Sequence, residues 1–179
     1  MQEIIILDAV PEDALGITTV FYKAWLATYP NAEKGITIED IEDSYKDDFS
    51  SNKIDELKEL IRNLPKNKKR FVAKKGDLIV GACTVIRNEG SNHLRTLYVL
   101  PEFQNQGIGK KLWGKALEFL DPKNDTFVQV ADYTENAINF YKKLGFVDTG
   151  KRTPQESGAF KSGAIIIDME MVRKANLDF

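Results

Sequence analysis

Between Leu97 and Leu112 the chain reads Leu-Tyr-Val-Leu-Pro-Glu-Phe-Gln-Asn-Gln-Gly-Ile-Gly-Lys-Lys-Leu, an order of residue types suited to holding an anion. Pro101 cannot donate to a ladder and closes a strand over Leu94 to Val99. Gly107 and Gly109 have no Cβ, so backbone N–H groups there can approach an anion closely. A helix from about Gly107 to Leu120 follows, and the unpaired N–H groups and dipole of its first turn suit a phosphate or pyrophosphate. Lys110 and Lys111 add positive charge. An ordinary glycine turn ahead of a helix would read the same way. Two known phosphate loops match poorly, which leaves an unrelated nucleotide-binding domain as a competing reading. Walker A fails because Lys110 is followed by Lys111 rather than Ser or Thr, and the dinucleotide fingerprint fails because the third glycine, Gly114, comes two residues late.

Other reactive types are scarce. Cys83, the only cysteine, excludes an internal disulfide and a cysteine-rich zinc site. It lies in the apolar run Leu78 to Cys83 and reads as a small buried hydrophobe. His93 is the only histidine, so no histidine metal cluster is expected and no metal is assigned.

The elements that must position these residues fit one domain over 1–179, since 179 residues can bury a proper core. Hydrophobic residues at 42% and charged residues at 29% exclude disorder and a disulfide-stapled miniprotein. Lys plus Arg at 25 against Asp plus Glu at 27 gives a net charge of −2, so no global field invites nucleic acid. The start, Met1-Gln2-Glu3 with Ile4 to Leu7, is too short for a signal-peptide core, and no apolar stretch suits a membrane span. A cytoplasmic protein with no membrane partner is expected.

A strand over Glu3 to Asp8 precedes a helix opened by Pro11, with Ile17, Val20, Phe21, Ala24, Trp25 and Ala27 on its apolar face. Thr37 with Asp40 fits a helix cap, with Ile38, Ile41 and Tyr45 inward. Ile54, Leu57 and Ile61 mark a helix over Lys53 to Asn63. Arg70 to Lys74 and Leu78 to Ile86 flank a hairpin turn at Lys75-Gly76-Asp77. Strands at Phe127 to Val130, Phe146 to Thr149 and Ala164 to Val172 and a helix over Glu135 to Leu144 complete an α/β chain with a mixed sheet.

Gln104-x-x-Gly107-x-Gly109 after a Leu-Tyr-Val strand and a proline resembles the acetyl-CoA-binding motif of the GNAT superfamily of N-acetyltransferases. Ala137-Ile138-Asn139-Phe140-Tyr141-Lys142-Lys143-Leu144-Gly145-Phe146 resembles its second signature, in the right order and at a normal distance. The element order agrees from residue 3 to 173, although the first half matches only in outline.

The resemblance implies a mostly antiparallel central sheet with splayed parallel strands, flanked by helices. It implies acetyl-CoA as cosubstrate, its pyrophosphate on Gln104, Asn105, Gln106, Gly107, Ile108, Gly109, Lys110 and Lys111. The strand holding Leu97, Tyr98 and Val99 would bulge and splay from Phe127 to Val130. The backbone of Leu97 and Val99 would then meet the pantetheine arm and the acetyl oxygen, where an N–H stabilises the oxyanion. Tyr141 matches the tyrosine that protonates the leaving thiolate. Relatives carry a glutamate base roughly where His93 stands; an exposed residue after a turn is the competing reading, with Tyr98, Glu102 or a water relay as alternatives. Thr134 replaces a common asparagine, whose contact with the coenzyme arm falls to Asn136 or Asn139 or is missing.

Substrate would enter beside Trp25 to Asn31, Thr37 to Asp48 and Lys151 to Gly163. The acidic residues from Glu39 to Asp48 suit a polycation or are a solvated helix face. The reaction implied is acetyl transfer to a small-molecule or peptide amine in a ternary complex; the alternative is a non-catalytic acyl-CoA-binding regulatory module. Trp113 belongs either to the core or to a homodimer interface.

Overall fold

A computed structural model describes residues 3–175; Met1 and Gln2 of the start read above lie outside them. The strands are β1 (Ile4–Asp8), β2 (Lys68–Lys75), β3 (Leu78–Asn88), β4 (Ser91–Val99), β5 (Thr126–Ala131), β6 (Val147–Pro154) and β7 (Ile167–Arg173). The helices are α1 (Ala14–Thr28), α2 (Ile38–Tyr45), α3 (Ser51–Arg62), α4 (Ile108–Leu117) and α5 (Glu135–Lys143). Seven strands form one sheet in the order β1-β2-β3-β4-β5-β7-β6. Every pair is antiparallel except β4 with β5. Parallel neighbours need a crossover, and α4 supplies it. This is the expected mixed α/β class.

Adjacent strand residues face opposite sides, and β4 shows what covers each side. Tyr98 meets Phe21 of α1 edge to face, ring centres 5.0 Å apart. Its neighbour Leu97 lies against Gly109 of α4 on the other side. The sheet is therefore sandwiched between α1 and the α4–α5 layer. The main core includes Val80, Ala82, Cys83 and Leu112. A second cluster, Tyr29, Ile36, Ile41, Ala131 and Ile166, closes the α1 side beside β5 and β7.

Several boundaries differ from the sequence reading. Pro11 opens a single 3-10 turn, Pro11–Asp13, before α1 begins. Ala27 and Ile38, placed inward by spacing, are exposed, because only part of each short helix faces the sheet. α4 ends at Leu117 rather than Leu120, since the Phe119 and Leu120 N–H groups both turn back to the Ala116 carbonyl. The last strand starts at Ile167 rather than Ala164: Phe160 N–H bonds the Ala164 carbonyl, holding that stretch as a loop. Trp113 is 4% exposed and packs edge to face on Phe146, so it belongs to the core.

Candidate active site

The site begins with an irregularity in β4. Thr84 pairs with Thr96 and Val85 with Leu94, so Arg95 is an extra residue bulged out of the β3 ladder. A bulge increases local twist and bends its strand. Accordingly β4 pairs with β5 only through Asn92–Thr126, His93–Phe127 and Leu94–Val128. Residues 95–99 and 129–131 then diverge, and the sheet opens into a wedge.

The glycine turn stands at one side of this wedge. Gly107 caps α4 with φ +78° and Asn105 also has positive φ. Lys111 N–H is the first in the helix to find an intrahelical carbonyl, that of Gly107. The N–H groups of Ile108, Gly109 and Lys110 have no partner among the described residues. A Cβ built on Gly107 meets nothing within 4 Å, so the mouth of the turn is open. Gly109 is glycine for another reason: its Cβ would stand 3.1 Å from Phe140 Cζ and 3.5 Å from Leu97 Cδ2. The start of α4 is thereby wedged between the open end of β4 and α5. Gln104 donates its Nε2 to the Val99 carbonyl at 3.2 Å and Gln106 to that of Glu102. Both amides brace the loop. Ile108 points its side chain into the core, whereas Lys110 and Lys111 are exposed.

On the opposite face lies a cleft of ≈ 420 Å³, lined by Trp25 of α1, by Tyr29 just past its end, by β4 and β5, and by β7. His93 is on its wall, stacked on Phe127 with ring centres 5.7 Å apart. Its Nε2 is 3.2 Å from Ser91 Oγ. Burial, then the nearby Arg95, lowers its pKa, so the imidazole is neutral near pH 7. Tyr141, on α5, does not line the cleft and is buried in the main core; burial, with Tyr98 and Cys83 close by, pushes its phenol above the usual range. Tyr98 and Tyr29 share a hydroxyl–hydroxyl hydrogen bond of 3.0 Å. Glu102 is outside the cleft lining and pairs with Lys23 at 3.8 Å.

A parallel pair that splays beyond Leu94–Val128 is what the resemblance of residues 97–112 to the GNAT motif implied. The family model of the acetyltransferase (GNAT) domain matches residues 33–172. The chain belongs to the GNAT acetyltransferases. Among curated proteins it is similar to the peptidyl-lysine N-acetyltransferase YjaB of Salmonella typhimurium, 38% identical over 66 residues, 37% of this chain and 43% of that one. The chain thus matches less than half the length of that relative. Among solved structures it resembles the PaiA N-acetyltransferase of Thermoplasma acidophilum in complex with coenzyme A. That match has TM-score 0.72 and 22% identity, covering 96% of this chain and 99% of that one. It also resembles YncA of Salmonella typhimurium with its cofactor acetyl-CoA, at TM-score 0.65 and 16% identity, covering 99% and 96%.

In this GNAT chain Thr134 turns its hydroxyl inward, donating to the Ala131 carbonyl at 2.7 Å. Asn136 and Asn139 are exposed on α5, with no side-chain hydrogen bond among the described residues. The acidic helix α2 does not line the cleft. Asp40 instead accepts from Thr37 and from Ser162, and Asp43 pairs with Lys161 at 2.6 Å. These carboxylates anchor the 155–166 loop. The sequence reading missed Asp168 and Thr96, both on the cleft wall. Thr96 Oγ1 is buried without a hydrogen-bond partner. Asp168 was marked by a signal: it stands two residues after Ile166, a carboxylate on the inward side of an apolar strand.

Proposed function

We propose that this GNAT protein transfers an acetyl group from acetyl-CoA to a primary amine, of a small molecule or a peptide, directly within a ternary complex. The observation that carries the reading is the wedge between β4 and β5, with free α4 amides at one mouth and the cleft at the other. The residues present suit the coenzyme. The Gly107 turn is open, the Ile108 to Lys110 N–H groups are unpartnered, and Lys110 and Lys111 stand beside them. An oriented helix terminus of this kind favours a pyrophosphate. Coenzyme binding is also the property that the PaiA and YncA structures display.

Bound acetyl-CoA supplies the acetyl thioester. The chain's own groups then position and move protons. The β4 edge beyond Leu94 is unpaired with β5, so a backbone N–H there can meet a developing oxyanion. Asn136 or Asn139, both on the exposed side of α5, would hold the coenzyme arm in place of the family asparagine. Tyr141 keeps its proton at every working pH because burial disfavours the phenolate. The donor role toward the departing thiolate comes from the resemblance of residues 137–146 to the family signature, and burial ensures only that the proton is there to give. His93, neutral and on the cleft wall, accepts the proton that an alkylammonium must lose before its nitrogen attacks. The buried, unpaired Cys83 suits a reducing compartment such as the cytosol.

Calorimetric titration with acetyl-CoA, with ATP and NAD as controls, tests this directly. Saturable binding of acetyl-CoA alone, followed by thiol release with a panel of amines, is expected. Coenzyme binding without turnover on any amine would favour a regulatory module instead. No coenzyme binding by a folded sample would overturn the reading.

A further inference from the structure

We propose that Asp168 is the docking carboxylate for the acceptor's ammonium group and selects cationic acceptors, an inference that rests on the acetyl-transfer reading above. Asp168 lies on β7, opposite Ala131 of β5 and Thr153 of β6. It is 6% exposed yet lines the cleft. Ala131 comes after the last β4–β5 pair, Leu94–Val128, so Asp168 flanks the open end of the wedge.

The charges around it are matched, and its own is not. Glu156 pairs with Arg95 at 2.8 Å, Glu170 with Lys151 at 3.1 Å and Asp132 with Lys34 at 4.0 Å. His93, the remaining basic group on the cleft wall, is held neutral. The nearby phenols are engaged elsewhere. Tyr133 donates to the Tyr29 carbonyl at 2.8 Å, and Tyr29 and Tyr98 bond each other. Among the described residues the Asp168 carboxylate has no hydrogen-bond or ion-pair partner. The oxygens of a carboxylate so placed meet only the solvent of the cleft, which makes its charge more costly than in open water. Its pKa accordingly rises to about 6, from burial first and then from the charges of Asp132 and Glu156.

A ligand cation fills this one unmatched place. The aromatic walls, Trp25 and Tyr29 on one side and Phe127 on the other, suit a primary ammonium on an apolar stem, through cation–π attraction and stem burial. Docking forms an ion pair and moves no proton.

Asp168→Asn preserves shape and removes the charge. Thermal unfolding of wild type and variant is compared near pH 8 and pH 4, with butylamine, phenethylamine or putrescine, and with butanol as the neutral control, each with and without acetyl-CoA. The raised pKa makes this group's contribution fully present below about pH 4, and it is lost as pH rises through about 6. The unliganded variant should therefore melt roughly 2–4 °C above wild type near pH 8 and together with it near pH 4. The amines, but not butanol, should stabilise wild type near pH 8 and leave Asp168→Asn unmoved. In turnover the variant should raise the amine KM roughly 100-fold and leave that of acetyl-CoA unchanged. Equal amine responses in both proteins, or none in either, would overturn the docking role. Acetyl-CoA titration of wild type reports separately on acetyl transfer: lost coenzyme binding with an intact Asp168-dependent amine response rejects that reading and keeps the cation site.

Discussion

A Cβ on Gly109 would stand 3.1 Å from Phe140 Cζ, so backbone and ring meet directly where α4 and α5 flank the wedge. Gly109→Val forces that contact apart and should destabilise the fold by about 1–3 kcal/mol. Adding Phe140→Leu should recover part of the loss, because the clash is with the ring. Denaturant unfolding of the single and double variants measures this. Strictly additive losses would show that the two residues do not limit each other.

Gly107→Glu tests the turn itself. Its φ of +78° makes a glutamate there cost about 1–2 kcal/mol, but nothing within 4 Å obstructs the side chain, so the protein should still fold. Bulk and negative charge at the mouth of the turn should lower acetyl-CoA affinity by more than about tenfold. Gly107→Asn, which tolerates the left-handed region, should retain most of it. Unaltered affinity in the glutamate variant would remove the turn from the coenzyme site.

Tyr141→Phe removes a hydroxyl that has no hydrogen-bond partner among the described residues, so stability should change little. If this phenol protonates the thiolate, turnover should fall about 10²–10⁴-fold while acetyl-CoA affinity is kept. Full activity would assign the ring to packing on Phe140 and Phe146, which it already contacts.

Asp40 joins two segments beside the second core cluster. Its Oδ2 accepts from Thr37 N–H and Oγ1 and from Ser162 Oγ, and its Oδ1 from Ser162 N–H. These bonds, the Thr37 backbone bond first, lower its pKa. A lowered folded pKa contributes stability that is present above the unfolded value of about 3.9 and lost as pH falls through the folded one. Asp40→Asn should cost about 1–3 kcal/mol near pH 7 and differ little from wild type in acid. A constant difference across pH would show that shape, not charge, holds the loop.

Local information made much of this legible. The Pro101 stop, the glycine turn and the apolar spacing of α4 act over a few residues, and their physics is local. The same holds for the Thr37 cap, where the structure shows both reciprocal bonds. The resemblance of residues 104–109 and 137–146 to GNAT signatures carried the family and with it the sheet class. Boundaries slipped where a neighbour decided, as at Ile38, 57% exposed on a helix face whose spacing alone placed it inward.

What the sequence by itself determined is the glycine turn, the helix after it and the strand before it, because nearest-neighbour sterics set them. Tertiary structure decided the rest. Only strand register shows that Arg95 is the bulged residue and that pairing stops at Leu94–Val128. Only the packing of β7 against β5 buries Asp168 in the cleft while its acidic neighbours find cations from distant segments. Charge matching is a sum over residues far apart in the chain, so the strand alternation that marks Asp168 as inward could not show that its carboxylate stays unpaired while its acidic neighbours do not.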